Sequence, residues 1–274
     1  MAELEKRIID THRVDIWNIK VNLLKKEEII HILNEWICSG RKGCYFTPID
    51  ANTVMLAQKD SKLREAILNS DITNVDSYLP AKFLKKAGAN IEERVATPDV
   101  LDLLLDEANK KSQRIYFLGA TDNTLNKLSH IIKERFPQII IAGMHNGYFK
   151  DNEKNLIVQH ISSLSPDIVL IGMPSPKKEN FVMECKDNIN AGALYCVGGA
   201  LDALAGVLPR PPRWLRKGPM EGILRVVRNP HSYWGRAIIC FQFIKFAKKW
   251  NKSHNGLQII QPNHKIKTTF ESEP

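Results

Sequence analysis

The densest collection of side chains able to bind or react lies late in the sequence, where ten basic residues between Arg210 and Trp250 stand against a single acid, Glu221. Arg225 and Arg228 are three apart, so on a helix running from Met220 their guanidinium groups share a face and can converge on one anionic group. Arg210 and Arg216 flank Trp214 just before them. A solvated basic face is the usual fate of such a run, but one acid among ten cations weakens that reading. This segment also holds the whole net charge of +9. The remainder balances, so a general nucleic-acid surface is not implied. Among the carboxylates, Asp76 sits in the polar stretch Ser70-Asp-Ile-Thr-Asn-Val-Asp-Ser-Tyr-Leu-Pro80, where an aspartate commonly does no more than cap a turn.

Such groups need a scaffold, and the apolar pattern supplies one. Cys44-Tyr-Phe-Thr47, Ile115-Tyr-Phe-Leu118, Ile139 to Ala142, Ile168-Val-Leu-Ile171 and Leu194-Tyr-Cys-Val197 are short β-rich runs, most of them ending at glycine. Between them, Val100 to Lys110, Thr124 to Arg135, Asn155 to Leu164 and Glu179 to Asn188 read as helices. Strand, glycine, helix, repeated, predicts an α/β fold: a Rossmann-like parallel sheet flanked by helices. Ligands of such sheets bind beyond the carboxyl ends of the strands. The loops at Gly119, Gly172 and Gly198-Gly199 are therefore expected to frame the site, with a helix start after Gly199 able to meet a phosphate. An equally ordinary role for these glycines is to permit tight turns. Neither GxGxxG nor GxxxxGK[ST] occurs, which argues against a dinucleotide dehydrogenase or a P-loop NTPase.

The N-terminal third is less regular, with helical patterns at Lys26 to Ile37 and Asn52 to Ala66, and Ser70 to Pro80 cannot be a long helix. Residues 1–209 are read as the α/β core, 210–250 as a basic appendage and 251–274 as a polar, flexible tail. Five scattered cysteines without CxxC suggest neither disulfides nor a zinc knuckle. The charged start Met1 to Arg7 lacks a signal-peptide core, and no apolar run reaches spanning length. From Tyr233 to Trp250, aromatic and aliphatic residues mix with Arg236, Lys245, Lys248 and Lys249. On a helix Gln242, Lys245 and Lys249 share a face, which suits either a headgroup-layer helix or a terminal helix packed on the core.

Three clusters together resemble the WecG/TagA/CpsF glycosyltransferases of bacterial cell-surface polysaccharide synthesis. The first runs from Tyr45-Phe-Thr-Pro-Ile-Asp-Ala-Asn52 through Asn69-Ser-Asp71 and Asp76 to Glu93-Arg-Val95 and Asp99. The second joins Ile115-Tyr-Phe-Leu-Gly-Ala120 to Gly143-Met-His-Asn-Gly-Tyr-Phe149. The third holds Pro166 to Glu179, Val197-Gly-Gly-Ala-Leu-Asp202, Arg210-Pro-Pro-Arg-Trp214, Glu221, Arg225 and Arg228-Asn-Pro230. An ordered series of this kind over most of a chain is far more specific than any one motif.

The resemblance implies inverting transfer of a sugar from a UDP donor to a polyprenyl-diphosphate-linked saccharide, with no cofactor and no metal. It implies a cytoplasmic enzyme, peripheral on the anionic inner face of the cell membrane, and a possible homo-oligomer. Displacement then needs a base for the acceptor hydroxyl and cations for the departing diphosphate. No DxD pair is present to carry a divalent ion, so Arg, Lys or backbone N–H groups must meet that charge. Asp76 matches the family's catalytic aspartate. Thr47 matches a threonine near the donor, and the asparagine that follows it in the family corresponds to Asp50 or Asn52. Arg94 is expected to contact substrate or to pair with Glu92 or Glu93, while Arg210, Arg225 and Arg228 would steady the diphosphate. Asp202 shapes the nucleotide loop or starts a helix, and His145 is structural. Two residues depart from the pattern: Ser77 follows Asp76 in place of glycine, and Lys178 replaces glutamine in Pro-Lys-Gln-Glu. They leave open a non-catalytic member that binds nucleotide-sugar or lipid in an assembly complex.

Overall fold

The computed structural model describes residues 9–10, 12–92, 94–208 and 230–254, the last segment without the side chains of 230–233. All five apolar runs are strands of one sheet: β3 (Cys44–Ile49), β5 (Arg114–Gly119), β6 (Ile140–His145), β7 (Ile168–Gly172) and β8 (Ala193–Cys196). A sixth, β4 (Ile72–Val75), joins them in the order β4-β3-β8-β7-β5-β6, and every neighbouring pair is parallel. All carboxyl ends thus lie along one edge.

Burial on both faces explains why β3, β5, β7 and β8 read as unbroken apolar runs. Successive side chains alternate between faces. Phe46, Phe117, Leu170 and Tyr195 pack under α1 (Lys26–Cys38), α5 (Thr97–Lys110), α6 (Asp122–Arg135) and α9 (Ala200–Leu204). Tyr45, Tyr116, Val169 and Leu194 pack under α7 (Lys154–Leu164) and α8 (Lys177–Cys185).

A separate apolar cluster forms beside β3 and β4. It joins the hairpin β1 (Arg13–Ile16) and β2 (Ile19–Asn22) to α2 (Ala51–Ala57), α3 (Ser61–Leu68), α4 (Tyr78–Lys86) and α10 (Pro230–Ser253). The hairpin turns at Trp17 and Asn18, with φ of 55° and 58°. That left-handed geometry suits a two-residue hairpin but strains a bulky side chain. Its compensation is tertiary: Trp17 is fully buried, meets Phe243 edge-on at 5.1 Å, and its carbonyl accepts from Gln58 Nε2 at 2.7 Å.

Several expectations need correction. The helix expected from Asn52 to Ala66 is two, because Asp60 caps α3 by accepting from the Leu63 N–H at 3.1 Å. The polar stretch Ser70 to Pro80 holds an unanticipated strand: Ile72 to Val75 form the edge strand β4, and α4 begins at Tyr78. Glu179 to Asn188 starts earlier, at Lys177, and tightens to a 3₁₀ turn over Lys186–Asn188. α10 continues to Ser253, and Trp250 stacks on His254 at 4.0 Å; the rest of the segment read as a polar tail lies outside the described residues. Among the described residues, no helix is long and apolar enough to cross a membrane.

Candidate active site

Parallel pairing of β3 with β4 puts the two residues that leave those strands side by side. Asp50 follows β3, Asp76 follows β4, and the Asp76 N–H donates to the Ile49 carbonyl at 2.9 Å. Each carboxylate serves a helix start. Asp50 caps α2, accepting from the Thr53 N–H at 2.7 Å and the Thr53 hydroxyl at 2.9 Å. Asp76 reaches across to α5, which has no side-chain cap of its own, and Oδ1 accepts from the N–H of Thr97, its first residue. An anion at a helix N-terminus is favoured by the free N–H groups and the dipole there.

Asp76 is half-buried, and burial pushes its carboxyl above the ordinary range. The Thr97 N–H opposes that rise, the Asp50 charge adds to it, and Arg94 offsets part of it. A carboxylate so placed is more basic than a solvated one and remains oriented by a fixed donor. Arg94 thus stands within electrostatic reach of Asp76, whereas Glu92 pairs with Lys25 at 2.7 Å. Of the two candidates after Thr47, Asp50 is the one that leaves β3 beside Asp76. Asn52 lies inside the first turn of α2.

Ser77 shows why glycine is not needed after Asp76. Its φ of −116° and ψ of 156° are extended backbone that any residue adopts. Real demands for glycine fall elsewhere. Gly119 has φ +132°, and a Cβ there would come within 2.4 Å of the Gly172 carbonyl carbon. The two therefore abut where β5 and β7 end. Gly198 also has positive φ, +52°, and Gly199 leads into α9, a helix of only five residues.

Thr47 is fully buried on the Tyr45 side of β3, near Cys196 and Glu179. Burial drives the Cys196 thiol well up, and the Glu179 charge adds to it. Lys178 is buried as well, its ammonium held by Glu179 and Ser175. Ser175 donates to Glu179 Oε1 at 2.7 Å and lies 3.5 Å from the Thr53 hydroxyl that holds Asp50. A polar chain thus runs from the start of α8 to the Asp50 carboxylate. Sequence reasoning missed Glu179, Ser175 and Thr53; the four-residue spacing of Ser175 and Glu179 at a helix start was the available signal.

Asp202 accepts from the Thr124 hydroxyl at 3.1 Å, tying α9 to the start of α6. His145 is engaged locally, Nδ1 lying 2.8 Å from the Asn146 carbonyl. Arg210, Arg225 and Arg228 lie outside the described residues. The helix that follows them does reach the site. α10 packs on α2 and α4 through fully buried Phe243 and Ala247, with Phe243 edge-on to Phe83 at 5.8 Å. Its Cys240 thiol is pushed up by burial, then by the charge of Asp50, with Arg236 opposing.

Comparison with known proteins bears on this arrangement. The model of the Glycosyl transferase WecG/TagA/CpsF family matches residues 14–256. An N-acetylglucosaminyldiphosphoundecaprenol N-acetyl-beta-D-mannosaminyltransferase of Bacillus spizizenii is 24% identical over 212 residues, covering 77% of this chain and 81% of its own. The enzyme of that name from Bacillus subtilis is 26% identical, over 73% and 78% of the two chains. One from Staphylococcus aureus reaches 30% over 51% and 54%. With a parallel α/β sheet, a paired-carboxylate edge and a family match across nearly its whole length, the chain belongs to the WecG/TagA/CpsF glycosyltransferase family.

Proposed function

We propose that this glycosyltransferase moves a sugar from a UDP donor to a saccharide on polyprenyl diphosphate, with inversion at the anomeric carbon. Asp76 takes the proton of the acceptor hydroxyl as that oxygen attacks, and the bond from anomeric carbon to UDP oxygen breaks. The observation carrying this reading is the placement of Asp76: at a strand carboxyl end, held by a helix N–H, with its basicity raised by burial and by Asp50. Names of relatives support the acceptor class, since they act on N-acetylglucosaminyl-diphosphoundecaprenol.

The departing UDP needs positive charge or N–H groups. Arg94 serves near Asp76, and Arg210, Arg225 and Arg228 supply the rest on the β-phosphate. Gly119, Gly172, Gly198 and Gly199 form the crevice floor for the nucleotide, while Thr47 and Lys178 act from beneath it through buried contacts. The enzyme works peripherally on the cytoplasmic face of the membrane, where a lipid-linked acceptor is found. A non-catalytic role drew on Ser77 and Lys178; the extended backbone of one and the internal ion pair of the other oppose neither catalysis nor folding.

The test is to incubate purified protein with a panel of UDP-sugars and a lipid-diphosphate acceptor, with and without EDTA, and to weigh the lipid product. A lipid heavier by one sugar residue, formed despite EDTA, is expected. Donor binding without product over a broad acceptor panel would refute the proposal, and strict dependence on added manganese or magnesium would refute its leaving-group chemistry.

A further inference from the structure

Two separated strand ends meet through hydroxyl groups. Asp50 follows β3 and Ser175 lies in the loop that leaves β7, while β8 stands between those strands in the sheet. The hydroxyls of Ser175 and Thr53 nevertheless lie 3.5 Å apart, across 122 positions of sequence. Proton count gives this contact a direction. Thr53 donates its one hydroxyl proton to Asp50 Oδ1 at 2.9 Å, so toward Ser175 its oxygen can only accept. Ser175 has one proton and two acceptors, Glu179 Oε1 at 2.7 Å and Thr53. Lys178 donates to both Ser175 and Glu179 Oε1, so Glu179 keeps a cation whichever way the Ser175 proton turns.

Donors therefore run one way, from the Lys178 ammonium through Ser175 and Thr53 to the Asp50 carboxylate. Such a chain strengthens its members, most of all where its ends are charged. Stability alone does not account for it. Phe181 and Val182 already pack α8 on the sheet, and Glu179 is fully buried, with Oε2 lacking a hydrogen bond among the described residues. An ion pair buried in this way carries a desolvation cost that an apolar pair would not. We propose that Ser175 is a positioning residue of the transferase: through Thr53 it couples the internal Lys178–Glu179 pair to Asp50, and so fixes that carboxylate beside the proposed base. This rests on the assignment of Asp76 above.

The bonds to Asp50 show what fixing it requires. The Thr53 N–H and the Thr53 hydroxyl both donate to Oδ1. Without the hydroxyl, the carboxylate would turn on the N–H bond alone, and its charge would no longer stand at one distance from Asp76. The other charged or titratable groups acting on Asp76 are Arg94 and the Tyr195 phenol. Asp50 also faces the Cys240 thiol of α10, which Arg236 approaches. Substitution of Ser175 leaves all four of these in place.

The experiment measures kcat and the pH profile of kcat/KM for the full chain, with the UDP-sugar and lipid-diphosphate acceptor that give product. Ser175→Ala and Thr53→Val each remove one hydroxyl and keep the Thr53 N–H on Asp50. Each should lower kcat by about tenfold, short of the roughly hundredfold that a misplacement on the order of 1 Å can cost, with KM little changed. Each should also move the acid limb down, the direction expected of Asp50→Asn. In an Asp50→Asn background neither should move it further, because the effects of residues that act through one another do not add. Ser175→Thr, which keeps the hydroxyl, should recover most of the loss. A limb that moves equally in the Asp50→Asn background would overturn the proposal, as would a loss of kcat with the limb unmoved. Asp76→Asn, run alongside, reads the base assignment by itself, so failure of the relay and failure of the transferase mechanism give different results.

Discussion

Replacing Asp76 separates catalysis from folding, because the same side chain both takes a proton and caps α5. Asn at this position keeps an oxygen for the Thr97 N–H but cannot act as a base. Ala loses both. As a general base, Asp76 is worth about two to four decades in rate, so Asp76→Asn and Asp76→Ala should each lower kcat by that amount. Their stabilities should differ. Loss of a helix cap costs about 1 kcal/mol, or roughly 2–4 °C in a chain of this size, and Asp76→Ala should show it. For Asp76→Asn the sign reverses. Because the folded pKa is raised above the unfolded 3.8, the stability linked to this group is full below the unfolded value. It is lost as pH rises through the folded one. At neutral pH the buried carboxylate is therefore a burden that the amide lacks, and Asp76→Asn should melt at or above the wild-type temperature. Turnover by Asp76→Asn within about tenfold of wild type, or a melting point as low as that of Asp76→Ala, would refute the assignment.

Other consequences can be checked in the same preparations. The acid limb of kcat/KM should fall at a pH above the ordinary aspartate range, moving down in Asp50→Asn and up in Arg94→Met, in keeping with the charges that act on Asp76. Phe243→Ala empties a fully buried site between α10, Trp17 and Phe83; a loss of about 3–5 kcal/mol should appear in denaturant melts, with faster proteolysis at α10. Lys178→Met leaves Glu179 buried without its cation and should cost about 3–5 kcal/mol. Lys178→Gln should cost less, since it can still donate to Ser175 and Glu179.

Much of the scaffold was legible because strands buried on both faces have no polar side to break the apolar run. The five apolar runs and their covering helices could be read within a few residues. β4 escaped because Thr73 and Asn74 are polar yet buried, Asn74 donating to the Val95 carbonyl at 2.8 Å. The β1–β2 hairpin escaped because its turn uses Trp17 and Asn18 rather than the glycine pair that marks such turns. In each case distant residues satisfy groups that local preference would leave unpaired.

The site divides in the same way. Chain order alone, through an extended series of motifs, established the family and singled out Asp76, since residue types at fixed spacings survive in a linear string. Tertiary structure decided that Asp76 ends a strand, that Asp50 is its neighbour, that Ser77 needs no glycine geometry and that Lys178 is internal. It also decided which side of α10 faces solvent. These are matters of which buried carboxylate meets which N–H, and of which helix face finds apolar partners. Such contacts join residues from 21 to 226 positions apart, and no periodicity within a single segment can encode them.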